Sequence, residues 1–258
     1  MLRSTKEILG YAIQAKDGQM GKVHDIFFDD AEWRARYVVV DTRAWLPGRK
    51  VLISPQAVHE ADWRTQNILV SLTREQIEKS PPIAENEPVS RRKEALIVEH
   101  FGWQPYWPGG AILVRGAVTG SEEEKTSSAI RPTGAATRVE AEDLPGDPHL
   151  RSAREVDGYH ILAEDGQIGH VMDFVLEDET WDIRYLVIDT RSWFPGGKKV
   201  LLAPGWIERI EWVDSRVRVS MTKAEIKESP EYLPSEPVNR EYEARLYDYY
   251  GRPRYWDR

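Results

Sequence analysis

Four pairs of aspartates recur at one spacing along this 258-residue chain: Asp17/Asp165, Asp25/Asp173, Asp30/Asp178 and Asp41/Asp189. Two carboxylates brought together can work as an acid–base pair or hold a hard cation. Each pair also has a plainer reading. Asp17 and Asp165 stand before glycine in tight-turn sequences, and Asp30 lies in a loop context, where aspartate satisfies nearby backbone. Asp25 and Asp41 end or interrupt apolar strands. A charged pair with Arg36 or Arg43, repeated as Arg184 and Arg191, would fix those strand ends, and we expect that pairing rather than catalysis.

The six histidines repeat less well. His24, His59, His100, His160 and His170 stand opposite Met172, Glu208, Tyr249, Ala12 and Lys22, and His149 has no counterpart. His160 and His170 flank one hairpin and are the one pair placed to approach each other as ligands. No nucleophile elbow, phosphate loop or calcium loop is present. With no cysteine in the chain, disulfides and thiolate metal sites are excluded, and a reducing compartment fits. The expectation is a protein that is not an enzyme and has no cofactor or metal.

A third feature is the turn "RAWLPG", Arg43–Gly48, which returns as "RSWFPG", Arg191–Gly196. Tryptophan and arginine dominate interface hot spots, and Pro47 and Pro195 stiffen the loop that carries them. Arg43, Trp45, Leu46, Arg191, Trp193 and Phe194 are therefore the candidate partner-binding residues. The competing reading has these rings packing on their own domain.

The turn belongs to a larger repeat. Setting Gly10 against Gly158 matches 21 of 39 residues without a gap, and after one extra residue near Gly197 the match runs on to Trp107 and Trp256. Units of this size are whole domains, too long for solenoid repeats. The expected organisation is a domain at 1–107, a flexible linker at 108–149 rich in Gly, Ser, Thr, Pro and Glu, and a second domain at 150–258.

Within each copy, Asp17-Gly18 and Asp165-Gly166 predict hairpin turns. Gly21 and Gly169, just inside the next strand, predict bulges or corners. "RYVVVDT" and "RYLVIDT" predict a central strand. About five or six strands per copy without intervening helices predict a small antiparallel barrel. Thr73 with Gln76 and Thr222 with Glu225 predict capped short helices, and Ser90 and Asn239 predict the starts of longer ones that stop at Gly102 and Gly251. The closing "YW" of each copy is expected to fold back as a lid.

The net charge of −8 has no basic block to set against it, which argues against a nucleic-acid partner. No apolar run is long enough to cross a membrane as a helix, and no secretory leader is evident, so a cytoplasmic protein is expected.

The ordered motifs (a Gly-Tyr opening, D-G-x-x-G, Asp25, "RYVVVDT" before W-x-P-G and K-V-L-x-x-P, then S-P, P-V-x-R and Y-W) resemble the PRC-barrel family. The resemblance covers both copies and not the linker. It implies a mainly β chain: two small antiparallel PRC-type β-barrels in tandem, each with a short C-terminal helical arm. It implies a barrel like the cytoplasmic domain of the membrane-anchored H polypeptide of photosynthetic reaction centres, a docking module rather than a catalyst. No run of this sequence matches that polypeptide's membrane-spanning helix. The functional expectation is a non-enzymatic protein-interaction or scaffolding module of a bacterial cytoplasm, with its two barrels packed as an intramolecular pseudo-dimer and its protein partner unidentified. The alternative is a peripheral partner of a membrane electron-transfer complex.

Overall fold

The computed structural model describes residues 1–42, 49–83, 89–107, 150–193 and 195–257. The 108–149 segment, expected to be a linker, lies outside them, as do Arg43, Trp45, Leu46, Phe194 and His149. The chain divides into two compact units. One comprises Met1–Tyr11, Val23–Val38 and Arg151–Arg258; the other comprises Ala12–Lys22 and Val39–Leu150. Each repeat thus contributes to the first unit.

The protein is mainly β, with two seven-stranded sheets. The first repeat supplies β1 (Leu2–Ser4), β2 (Ala12–Ala15), β3 (Gly18–Asp29), β4 (Arg34–Asp41), β5 (Lys50–Ile53), β6 (Val58–Asp62) and β7 (Asn67–Val70). The second supplies β8 (Leu150–Ser152), β9 (His160–Ala163), β10 (Gly166–Glu177), β11 (Ile183–Asp189), β12 (Lys199–Leu202), β13 (Ile207–Glu211) and β14 (Arg216–Val219). The strand orders are β5-β4-β3-β2-β7-β6 and β12-β11-β10-β9-β14-β13. To these, β8 adds on β3 and β1 adds on β10, so the first strand of each repeat is exchanged into the other repeat's sheet.

The antiparallel expectation needs correction. Both sheets are mixed, because β7 runs parallel to β2 and β14 parallel to β9. The cause is the route of the chain, which leaves the sheet at β5 or β12 and returns through a hairpin to the far side of β2 or β9. No closed barrel is formed among the described residues. The outer edge of β12 is taken instead by Glu231, whose neighbour Tyr232 donates its amide to the Lys199 carbonyl at 2.8 Å, and the edge of β5 is met by Ile83.

Local chemistry follows the sequence closely. Register shifts between Ile13 and Gln14, and between Gln167 and Gly169, mark the two bulges. A Cβ at Gly21 would stand 2.2 Å from the Asp41 carbonyl oxygen, and one at Gly169 would stand 2.7 Å from that of Asp189, so no side chain fits either corner. The capping boxes of α2 (Arg74–Glu78) and α5 (Lys223–Glu228) form as expected. The turn aspartates take a second task there: Asp17 accepts the Arg74 amide and Asp165 the Lys223 amide, each at 2.8 Å. A carboxylate at that end of a helix also meets its positive pole. Ser90 and Asn239 cap α3 (Arg91–Phe101) and α6 (Arg240–Tyr249).

The C-terminal rings fold back onto these arms. In the second repeat, buried Glu243 of α6 accepts the Tyr185 hydroxyl of β11 at 2.7 Å and the Tyr255 hydroxyl at 2.9 Å, and pairs with Arg240 at 3.0 Å. Arg240 lies 4.3 Å from the Trp256 ring centre. The first repeat holds Glu94, Tyr106, Arg91 and Trp107 the same way, with the Glu94–Tyr106 bond at 2.9 Å and Arg91 4.4 Å from the Trp107 ring centre.

Candidate functional site

The repeated aspartates divide by partner. Asp25 and Asp173, 5% and 8% exposed, do not pair with Arg36 or Arg184. Each instead receives the start of the opposite repeat, whose first turn is α1 (Thr5–Ile8) or α4 (Ala153–Val156). Asp173 accepts the Ser4 hydroxyl, the Thr5 hydroxyl at 2.7 Å, the Lys6 amide at 3.1 Å and the Phe174 amide at 2.7 Å. Asp25 accepts the Ser152 hydroxyl at 2.5 Å, the Arg154 amide at 3.2 Å and the Ile26 amide at 2.7 Å. The strand-end arginines go elsewhere: Arg36 to Glu32 at 2.6 Å and Arg184 to Glu177 at 2.5 Å. Burial defeats the expected ion pairing at Asp25 and Asp173, because amides and hydroxyls at a helix start satisfy a carboxylate without bringing in a second desolvated charge.

Asp30 and Asp178 complete the reciprocal pattern. Asp30 binds Arg151 at 3.1 Å, and Asp178 binds Arg3 at 3.4 Å and the N-terminal ammonium. A cleft of about 420 Å³ opens beside these joints, with Lys6, Arg154, Met172 and Asp157 on its walls. Its charged groups already face partners: Lys6 pairs with Asp157 at 2.8 Å and Arg154 reaches the His24 carbonyl at 3.3 Å. This is a structural joint. The signal for it lies in the sequence at the same 148-residue spacing, where Leu2-Arg3-Ser4 is repeated as Leu150-Arg151-Ser152 ahead of the Gly10 and Gly158 openings.

The joint has a pH signature. Burial pushes the Asp25 carboxyl above its ordinary value of 3.8, against the opposing bonds from Ser152, Ile26 and Arg154. The folded protein therefore holds this proton more tightly than the unfolded chain, and the carboxyl's contribution to stability falls as pH rises from 3.8 through the folded-state value. Side-chain carboxyl NMR should give a midpoint above 3.8. The stability of the wild type relative to Asp25→Asn should grow as pH is lowered through that window, and a midpoint below the ordinary value would refute the assignment.

Asp189 follows the expected rule. Arg191 grips it through Nη2 at 2.6 Å and Nε at 3.0 Å, while the Arg191 amide donates to it at 2.9 Å. These bonds hold the Asp189 carboxyl below the usual range. The clamp shapes the following turn. Thr190 donates its hydroxyl to the Lys198 carbonyl at 2.7 Å and accepts the Lys198 amide at 3.0 Å, and the Trp193 amide closes onto the Thr190 carbonyl at 3.0 Å. Gly196 takes the left-handed backbone at φ 79°, and a Cβ at Gly197 would meet the Thr190 carbonyl oxygen at 2.3 Å.

This fixed turn presents Trp193, which is 37% exposed while Trp181 and Trp206 are buried. Its ring meets His160 edge-on, with centres 6.1 Å apart. His160 stands directly opposite His170 across β9 and β10, and His170 stands opposite Asp189 across β10 and β11. The two histidines are therefore neighbours on one sheet face, beneath the Trp193 turn. Among the described residues no three His, Asp or Glu side chains are grouped to hold a metal ion. Of the six residues singled out from the sequence, the structure places Arg191 as the clamp and Trp193 as the exposed ring. No protein-family model and no characterised protein sequence matches this chain.

Proposed function

We propose that this chain is a non-enzymatic protein-interaction module with PRC-type domains, engaging its partner through the Trp193 turn and, by repetition, through Arg43, Trp45 and Leu46. One observation carries the reading: a large aromatic ring is exposed beside the Asp189–Arg191 clamp and the Thr190–Lys198 bonds, which fix the backbone that carries it. Such an anchor loses little freedom on binding, which is what distinguishes a hot spot from a mobile surface ring. The strand order shared by the two repeats supports a tandem duplication, the reciprocal joints at Asp25 and Asp173 support a pseudo-dimer of the repeats, and the PRC-type assignment rests on the sequence motifs alone. A bacterial cytoplasmic setting comes from the sequence resemblance.

Trp193→Ala tests the anchor. With over a third of the side chain exposed, the variant should lose no more than about 1 kcal/mol in a urea melt. Affinity for a partner recovered by crosslinking at the wild-type turn should fall about tenfold or more. A large loss of stability with association intact would assign the ring to packing instead.

A further inference from the structure

A second surface lies beyond the tryptophan turn, between the segment that caps β12 and the start of α6. It is a groove of about 380 Å³ whose floor and walls include Pro230, Tyr232, Leu233, Pro237 and Tyr242. The groove is preformed. Tyr242 donates its hydroxyl to the Pro230 carbonyl at 3.2 Å, its amide is held by Asn239 at 2.9 Å, and the Glu236 amide closes a turn onto the Leu233 carbonyl at 2.9 Å. Burial holds the floor phenol of Tyr232 up at about 12, so it stays a neutral ring. Leu233 is 44% exposed above it.

Around this apolar floor stand Glu231, Glu236 and Glu241, all exposed and none in an ion pair among the described residues. The cation of the lining, Arg245, lies 5.7 Å from the Tyr242 ring centre. Three carboxylates against this guanidinium leave a negative rim over a ring-lined slot. The corresponding positions of the first repeat do not repeat it: Pro82 stands for Glu231, Arg92 for Glu241 and Lys93 for Tyr242.

We infer that this groove binds an extended, proline-containing peptide segment bearing arginine or lysine. A slot of this volume admits a few residues of extended chain but not a helix roughly 10 Å across. Tyrosine and proline faces suit the ridged surface of a polyproline helix, which enters already ordered. The carboxylate rim then sets the sign of the flanking side chains and speeds encounter.

The probe is a fluorescein-labelled ten-residue peptide of alternating proline and arginine, followed by fluorescence anisotropy with the whole chain at low salt. Saturable binding is expected, weakened about fivefold or more in the triple variant Glu231→Gln, Glu236→Gln, Glu241→Gln, whose exposed sites leave folding unaffected. A glycine–arginine peptide of equal charge should bind more weakly than the proline–arginine one, and Leu233→Asp should keep its charge attraction yet lose that preference. Trp193→Ala should bind the probe as the wild type does, which separates this groove from the tryptophan turn. No saturable binding, equal binding by the triple variant, or equal binding of the two peptides would each overturn the inference.

Discussion

Replacing Asp173 by alanine is expected to destabilise the fold by about 3–5 kcal/mol, measured by urea denaturation, because it removes the acceptor for four donors at once. The Thr5 hydroxyl and the Phe174 amide lie in buried surroundings and would lose their bonds without gaining water. An unsatisfied buried donor costs about 1–3 kcal/mol, so two of them, with the Ser4 hydroxyl and the Lys6 amide, reach the stated range. The pairing of β1 with β10 rests beside this joint, from Leu2 opposite Glu177 to Ser4 opposite Val175, so the N-terminal strand should exchange its amide hydrogens faster in the variant. Ser4→Ala should cost about 1 kcal/mol, and the Ser4–Asp173 double-mutant cycle should give a clear coupling energy. A loss below about 1 kcal/mol on removing Asp173 would show that the exchanged strand is held by backbone pairing alone.

Glu243→Ala is expected to have a comparable effect in the C-terminal arm of the second repeat. The carboxylate is 2% exposed and gathers Tyr185, Tyr255 and Arg240 into one cluster. Truncating it leaves the buried Tyr185 hydroxyl without its acceptor and removes that of Tyr255, a cost of about 2–4 kcal/mol, to which the half-exposed Arg240 adds little because water replaces its counter-ion. Burial, reinforced by the Glu243 charge, pushes the Tyr185 phenol far above its ordinary value, so it remains a donor at any working pH. Glu243→Gln keeps an acceptor and should cost less, about 1–2 kcal/mol, and Tyr185→Phe less again, since Glu243 retains two partners. The Tyr255–Trp256 segment should become protease-sensitive in the alanine variant only. If Tyr185→Phe proved the most damaging of the three, the cluster would not be organised around the carboxylate.

These two clusters also show how far the sequence can be read. Everything governed by neighbours within one turn or one hairpin is legible: the capping boxes at Thr73 and Thr222, the caps at Ser90 and Asn239, the bulges at Gly21 and Gly169, and the Asp189–Arg191 clamp. Such features are set by backbone geometry and side chains that meet wherever the rest of the chain goes. The duplication is equally legible, since identity at a fixed spacing needs no structure to be seen.

What only the tertiary structure decided is which distant groups meet. In the sequence Asp25 and Asp173 read as partners of nearby arginines, because nothing local distinguishes a carboxylate bound for an ion pair from one that caps a helix start more than 120 positions away. Desolvation chose between them, favouring neutral donors over a second buried charge. The mixed sheets have the same origin. Alternation along "RVRVSM" shows that Arg216–Val219 is a strand, but its parallel placement on β9 depends on the path of the whole repeat. Exposure of Trp193 is likewise undecidable from composition, since a turn tryptophan packs or projects according to the surface beneath it. Local bonding is written in the sequence because it acts over a few bonds of chain, whereas the choice among long-range partners is made by burial, which exists only once the chain has folded.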